Sequence, residues 1–503
     1  MRNQRRCAHV TGPALLTQLL EISGCEMKSR SVSRLIVVSL LVLGVCAIVA
    51  LGFSRASLAQ DDPVNEPRYF AIKGARIVPV SGAPIENGTV VVADGIIKAV
   101  GADATIPPEA AVIDGKGLTV YPGLIDAGTN VGLPAPEPPQ MGPARGRRAP
   151  RPMPSKLSMG PEDRPGTTPW NVAANDLNSE DPRIENWRSA GFTTALVEPE
   201  GGMFPGQGSI IDFGSERAGN MVVKPHATLD ISFEPTGGFF SFPGSLMGVI
   251  AYVRQVFIDT RWYQDADAVY SAHHEGIERP SYDRTEVVVG QALKDNELVL
   301  LPANEKLRIY RAIRLANEWQ IHAAMYGGQE GYEMSSEIAQ SKMPVFVNVN
   351  WPTMPKDADT DNITLRELRL WDRAPSTPAA LSKAGVLYAF YSGGLTNPKD
   401  ILKNVKKAID KGLSPDDALR AMTENPAQIL GVEDRLGSIA PGKIANLVVA
   451  DGDLFDEKTK IKDVFVDGMR YQIHEETPPP GPPDHSDKPS VATVQMSEQG
   501  AQQ

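Results

Sequence analysis

Past Cys46 the sequence has no cysteine: its three, Cys7, Cys25 and Cys46, all precede residue 47. The body of the protein therefore has no disulfide, no thiol nucleophile and no cysteine-based zinc site. A chain that folds in an oxidising compartment loses nothing by this. Positive charge is also in short supply. Against 61 Asp and Glu stand 50 Lys and Arg, a net charge of −11, which argues against nucleic acid or an anionic membrane as the main partner. The one basic cluster, Arg145, Arg147, Arg148 and Arg151, lies among prolines and reads as a solvated loop. No Gly-x-Ser-x-Gly elbow appears. The stretch Gly201-Gly202-Met203-Phe204-Pro205-Gly206-Gln207-Gly208 has neither P-loop nor dinucleotide spacing, and reads as a flexible βα loop. No internal repeat is visible.

A long uncharged run occurs near the start, where Leu35–Phe53 follows Lys28, Arg30 and Arg34. Ser57 and Ala59 then place small residues at the −3 and −1 positions of a cleavage site before Gln60. Residues 1–59 therefore read as a leader with a secretory signal peptide, and Met27 is a candidate true start. The expected location is periplasmic or secreted. The alternative is an uncleaved membrane anchor over residues 35–53, the one route by which a membrane would be a partner.

Residues 67–121 alternate β-branched runs with turn dipeptides. Asn87-Gly88 precedes Thr89–Val92, and Asp94-Gly95 links that run to Ile96–Val100. A two-residue Asp-Gly link is a hairpin signal because both residues need positive φ. The far end behaves alike, with Ala445–Ala450, then Val464–Val466 leading into Asp467-Gly468. The spacing predicts one small composite β-domain, a sandwich built from residues 67–121 plus 435–473. Between the two pieces, apolar strand-like runs alternate with helical patterns, the signature of βα units. One of the clearest is Gly385–Tyr391, followed by a helix with Ile401, Val405, Ala408 and Ile409 on one face. The fold class is α/β, and residues 122–434 are of a size for a (β/α)₈ TIM barrel. A Pro/Gly/Arg-rich excursion (133–170) interrupts it, and residues 474–503 read as a disordered tail.

Tyr121-Pro122-Gly123-Leu124-Ile125-Asp126, approached through Gly115-Lys116-Gly117, resembles the entry to the first barrel strand of the amidohydrolases. Asn425-Pro426-Ala427 and the stretch from Gly437-Ser438-Ile439 through Pro441-Gly442-Lys443 to Val449 resemble that family's return to its small domain. The resemblance covers residues 67–473 and lies nearest the imidazolonepropionase-like branch. It implies hydrolysis of non-peptide C–N bonds, such as those of cyclic amides, by water activated on zinc or another divalent metal. The ligand positions do not carry over. Where the family has His-x-His this chain has Gly128-Thr129-Asn130. Pro302 stands at the next ligand position, Gly327 at the end of the following strand, and Gly393 where the strand-8 acid belongs.

Seven histidines are present, and His226, His273, His274 and His322 fall within the barrel region. His273 and His274 adjoin in a helical-looking stretch and point apart. His322 begins the run Ile321–Tyr326, at the wrong end of its strand. His226 has the best chance of facing inward. Pocket candidates are Asn130, Glu200, His226 and Asn304, and no metal or other cofactor is expected. The first functional reading is an exported, non-catalytic barrel. It binds a small molecule at its mouth, or assembles with an active amidohydrolase relative or a second copy of itself. The second is an active C–N hydrolase with a relocated or weak metal site. Acids or histidines converging on the C-terminal face of the barrel favour the second; an apolar, glycine-lined mouth opposes it.

Overall fold

The computed structural model describes residues 69–134, 164, 166–214, 217–235, 243–355 and 360–473. The leader, most of the Pro/Gly/Arg-rich excursion and the C-terminal tail named above lie outside the described residues. Among the described residues no helix is long and apolar enough to cross a membrane.

The chain opens with β1 (Tyr69–Ile77), β2 (Ile85–Ala93), β3 (Ile96–Gly101), β4 (Ala111–Asp114) and β5 (Thr119–Pro122). Eight strands follow: β6 (Leu124–Thr129), β7 (Phe192–Val197), β8 (Gln207–Asp212), β9 (Val222–Asp230), β10 (Leu298–Ala303), β11 (Ala323–Gly327), β12 (Val345–Asn348) and β13 (Tyr388–Tyr391). The described chain ends with β14 (Leu447–Ala450), β15 (Ile461–Val466) and β16 (Met469–Gln472). The first and last groups form one sheet in the order β16-β15-β14-β5-β1-β2-β3, with β4 beside β1. Its junction is the antiparallel pair β5 and β14, where Val120 faces Val449 and Tyr121 faces Val448.

Asp94-Gly95 and Asp467-Gly468 each hold two successive positive φ angles, as a two-residue hairpin requires. The two turns meet: a β-carbon on Gly95 would lie 2.7 Å from the Asp467 carbonyl oxygen. The sheet is thus curled on itself like a small sandwich, around Ile72, Val90, Val120, Leu447 and Val449. Phe70 of β1 stacks on Phe465 of β15 with ring centroids 4.9 Å apart. Asn87-Gly88 is not a turn, contrary to its composition. It lies inside β2 at a register shift, with Asn87 at φ 51° and Gly88 packed against Ile77.

The middle group forms a nearly closed barrel. Seven strands run parallel, and β8 is antiparallel to both of its neighbours. The glycine stretch 201–208 is consequently a hairpin connection and the start of β8, not a βα loop. It is also fixed. Met203 and Phe204 are fully buried, and both backbone N–H groups donate to the Gly166 carbonyl at 2.7 and 3.1 Å. The seam between β13 and β6 has no ladder. Instead Phe390 N–H donates to Ala421 O and Ile125 N–H donates to Met422 O, so residues 421–422 stitch the two strands.

Inside the barrel, Ile125, Ala127, Leu196, Ile210, Leu300, Ala324, Phe346 and Ala389 form an apolar plug. Ala427, Leu430 and Val432 extend it at the N-terminal end, where Asn425 anchors to the Tyr388 carbonyl at 2.9 Å. The opposite, C-terminal ends of the parallel strands are the end that loops build into sites in this architecture.

Candidate functional site

A cavity of about 740 Å³ opens at that end. Its walls include Gly128, Asn130, Glu198, Glu200, Asp230, Tyr326, Asn348, Tyr391 and Gly393, and Leu300 of the apolar plug also lines it. The volume suits a small organic molecule.

Asp126, midway along β6, lies behind this wall and is wholly engaged. It accepts from Trp187 Nε1 at 2.9 Å, from Ser392 N at 2.9 Å and from Gly128 N at 3.4 Å. Because Ser392 directly follows β13, this carboxylate ties the two sides of the barrel seam. Burial raises its pKa to about 6, against the lowering effect of the donors.

The acids facing the cavity are held differently. Glu198 follows the last residue of β7, and Asp230 is the last residue of β9. Asp230 is 6% exposed and accepts at Oδ1 from Thr228 Oγ1 at 2.7 Å, while its Oδ2 is buried with no donor. Burial pushes its pKa up to about 8. Glu198 is also pushed well above the usual carboxylate range, first by burial and then by the charges of Asp230, Asp126 and Glu200. Burial, followed by nearby acids, likewise raises the Tyr391 hydroxyl.

Asn130 and Glu200 both line the cavity and are tied to each other, Asn130 Nδ2 donating to Glu200 Oε1 at 2.7 Å. The Asn130 amide oxygen accepts from Arg183 Nη1 at 2.8 Å, and Arg183 is itself paired with Asp181 at 2.7 Å. The other two candidates are not part of the cavity wall. His226 is exposed, and its Nδ1 meets the Gln207 side-chain oxygen. Asn304 is bonded to Gln329 in both directions, at 3.3 and 3.2 Å. His273 and His274 lie just beyond the helix Leu246–Ala272, contrary to the helical reading, and both are exposed. His322 is exposed ahead of β11, with its ring on Asn296 O at 3.2 Å. Sequence reasoning left out Asp230, Tyr326 and Asn348. The usable signal was position: in this architecture, residues at the C-terminal ends of strands face the mouth.

The amidohydrolase family model matches residues 338–471. The crystal structure of an amidohydrolase from Thermotoga maritima MSB8 superimposes with a TM-score of 0.66 at 28% identity, over 80% of this chain and 100% of that one. In fold over most of its length, and in sequence over its C-terminal part, this chain is similar to the amidohydrolases. Shorter matches reach adenine deaminases. One from Lactobacillus delbrueckii subsp. bulgaricus is 39% identical over 72 residues, 14% of this chain and 12% of that protein. One from Moorella thermoacetica is 33% identical over 112 residues, 21% of this chain and 18% of that protein. The chain thus spans under a fifth of the length of these two curated relatives.

The superfamily resemblance implies a metal centre at this mouth, and the residues present do not fit one. A β-carbon at Gly128 would come within 3.1 Å of the Tyr391 ring and 3.4 Å of Glu198 Oε2. Gly393 has φ +57°, and a β-carbon there would fall on the Asn348 carboxamide, itself held by Asn350 N–H at 2.8 Å. A β-carbon at Gly327, φ +106°, would lie 2.9 Å from the Asn304 backbone. Pro302 has no donor atom on its side chain, and the Asn130 oxygen is occupied by Arg183. Among the described residues no three His, Asp or Glu side chains stand close enough to share an ion.

Proposed function

We propose that this amidohydrolase-like chain is a binding protein, one that holds a small molecule at the barrel mouth without metal-dependent hydrolysis. One observation supports this above the others: the space a strand-8 acid would need at Gly393 is filled by Asn348. Losing a ligand by substitution leaves a hole that a water or another donor can enter. Filling the position with a fixed carboxamide removes the hole as well.

The N-terminal run Leu35–Phe53 and the small residues before Gln60 support export, with the mature chain periplasmic or secreted. Cell fractionation that finds the mature chain in the cytosol overturns that part. Assembly with an active relative or a second copy belongs to the same proposal and is read by co-purification and solution mass.

The second reading, a C–N hydrolase around a relocated metal, has one observation in its favour. The mouth is acidic, with Glu198, Glu200 and Asp230 on its wall, and not the apolar surface that would dismiss catalysis. Metal content by elemental mass spectrometry, paired with turnover assays on adenine and cyclic amides with and without added zinc or manganese, separates the two. The binding reading expects metal well below one ion per chain and no metal-dependent turnover. Near-stoichiometric metal with turnover overturns it.

A further inference from the structure

We infer that the mouth recognises an organic cation, an amine or guanidinium on a small organic body, with Glu198 and Asp230 as its counter-charges. This rests on the proposed reading that the site works without a metal.

The first ground is an imbalance of donors and acceptors. A buried carboxylate oxygen without a donor costs free energy, so such groups are normally paired. Asp230 Oδ2 is buried beside the cavity with no donor among the described residues. No side chain there donates to Glu198 either; burial and neighbouring negative charges shift it, with no hydrogen bond to offset them. The acceptors are in place and their donor is not.

Charge gives the same answer. The basic residue on the cavity wall, Arg183, is engaged by Asp181, by Asn130 and by the Leu133 carbonyl at 2.9 Å. Glu234, also on the wall, is paired with Arg308 at 2.8 Å. Glu198 and Asp230 have no protein counter-ion among the described residues, and an anionic ligand would add to their repulsion.

Geometry then chooses the kind of cation. A divalent metal needs several donors converging at about 2.0–2.6 Å, and no group of three acids or histidines meets that demand among the described residues. An ammonium carries three N–H donors with no fixed coordination number, and a guanidinium five. Either supplies hydrogen bonds to two carboxylates standing apart. Trp187, Tyr326 and Tyr391 also line the cavity and favour a cationic head group over a neutral one.

The test is calorimetric titration of the purified full chain with two matched pairs, phenethylamine against phenethyl alcohol and cadaverine against pentanediol. The amines are expected to bind about tenfold or more tightly than the alcohols. Asp230→Asn and Glu198→Gln are each expected to remove most of that preference, with melting temperature reporting on their folding. In buffers of different ionisation enthalpy, amine binding is expected to release protons, because the acids must ionise to pair. Equal affinity for amines and alcohols, or no binding of either amine, overturns the inference, and both comparisons use the unmutated chain. If the chain instead holds stoichiometric metal and a chelator abolishes amine binding, the metal-free reading itself has failed. A metal-free chain that is indifferent to charge refutes the cation alone.

Discussion

Asp126, midway along β6, and Asp230, at the C-terminal end of β9, are both buried acids, yet the protein treats them in opposite ways. Asp126 receives three donors and joins β6 to the residue after β13. Asp230 receives one, and its second oxygen is left without a partner. Burial alone therefore does not mark a functional acid. What marks it is an unmet acceptor facing a cavity, since a fold in isolation gains nothing from leaving one.

Breaking the satisfied acid should have the largest effect. Asp126→Ala leaves Trp187 Nε1 and the Ser392 N–H without an acceptor, and is expected to cost about 3 kcal/mol in chemical denaturation. A loss below about 1 kcal/mol would mean the seam is held elsewhere. Restoring the family's acid comes next. Gly393→Asp must place a side chain at φ +57° and displace Asn348, at an expected cost of about 2 kcal/mol. It should gain no metal, as elemental analysis will report, and Asn348→Ala in the same chain should recover part of the loss. The smallest effect is expected at the open acid. Asp230→Asn should change stability by less than about 1 kcal/mol at pH 6, because the amide oxygen still accepts from Thr228 and no new charge is buried. Its pH dependence carries the sign. The folded-state pKa of about 8 lies above the ordinary 3.8, so the stability this group contributes falls as pH rises between those values and levels off above about 8. Thermal melts from pH 6 to 9 should fall less steeply for Asp230→Asn than for the native chain.

Much of the fold is legible in the sequence because its signals are local. Asp94-Gly95 and Asp467-Gly468 demand positive φ and sit in tight hairpins. The stretch from Tyr121 to Asp126 carries the chain from the small sheet into the barrel. Other features are silent for physical reasons. The apolar residues of β8 read alike whichever way the strand runs, so its antiparallel course is decided by the loop before it. Asn87-Gly88 has turn composition but serves as a bulge, because Ile77 needs the space a β-carbon on Gly88 would fill. At the mouth, Asn130 and Glu200 are readable because they lie beside a motif or a glycine loop. Glu198 and Asp230 look like any acids at a strand end until burial is known. That Asn348 fills the place of a side chain at residue 393 is a contact between two different strand ends, and no local pattern announces it.

The stitched seam has a consequence for motion. Where seven neighbouring strand pairs share ladders, β13 and β6 meet through residues 421–422, the Asp126 carboxylate and the Ser392 hydroxyl, which donates to the Gly128 carbonyl at 3.2 Å. Amide hydrogens there, at Ile125, Phe390 and Ser392, should exchange with solvent at lower opening cost than those inside the ladders. Gly128 on one bank and Tyr391, Ser392 and Gly393 on the other line the same cavity. A molecule seated there spans the split like a clasp, and occupancy of the site would be felt as slower breathing of the whole barrel.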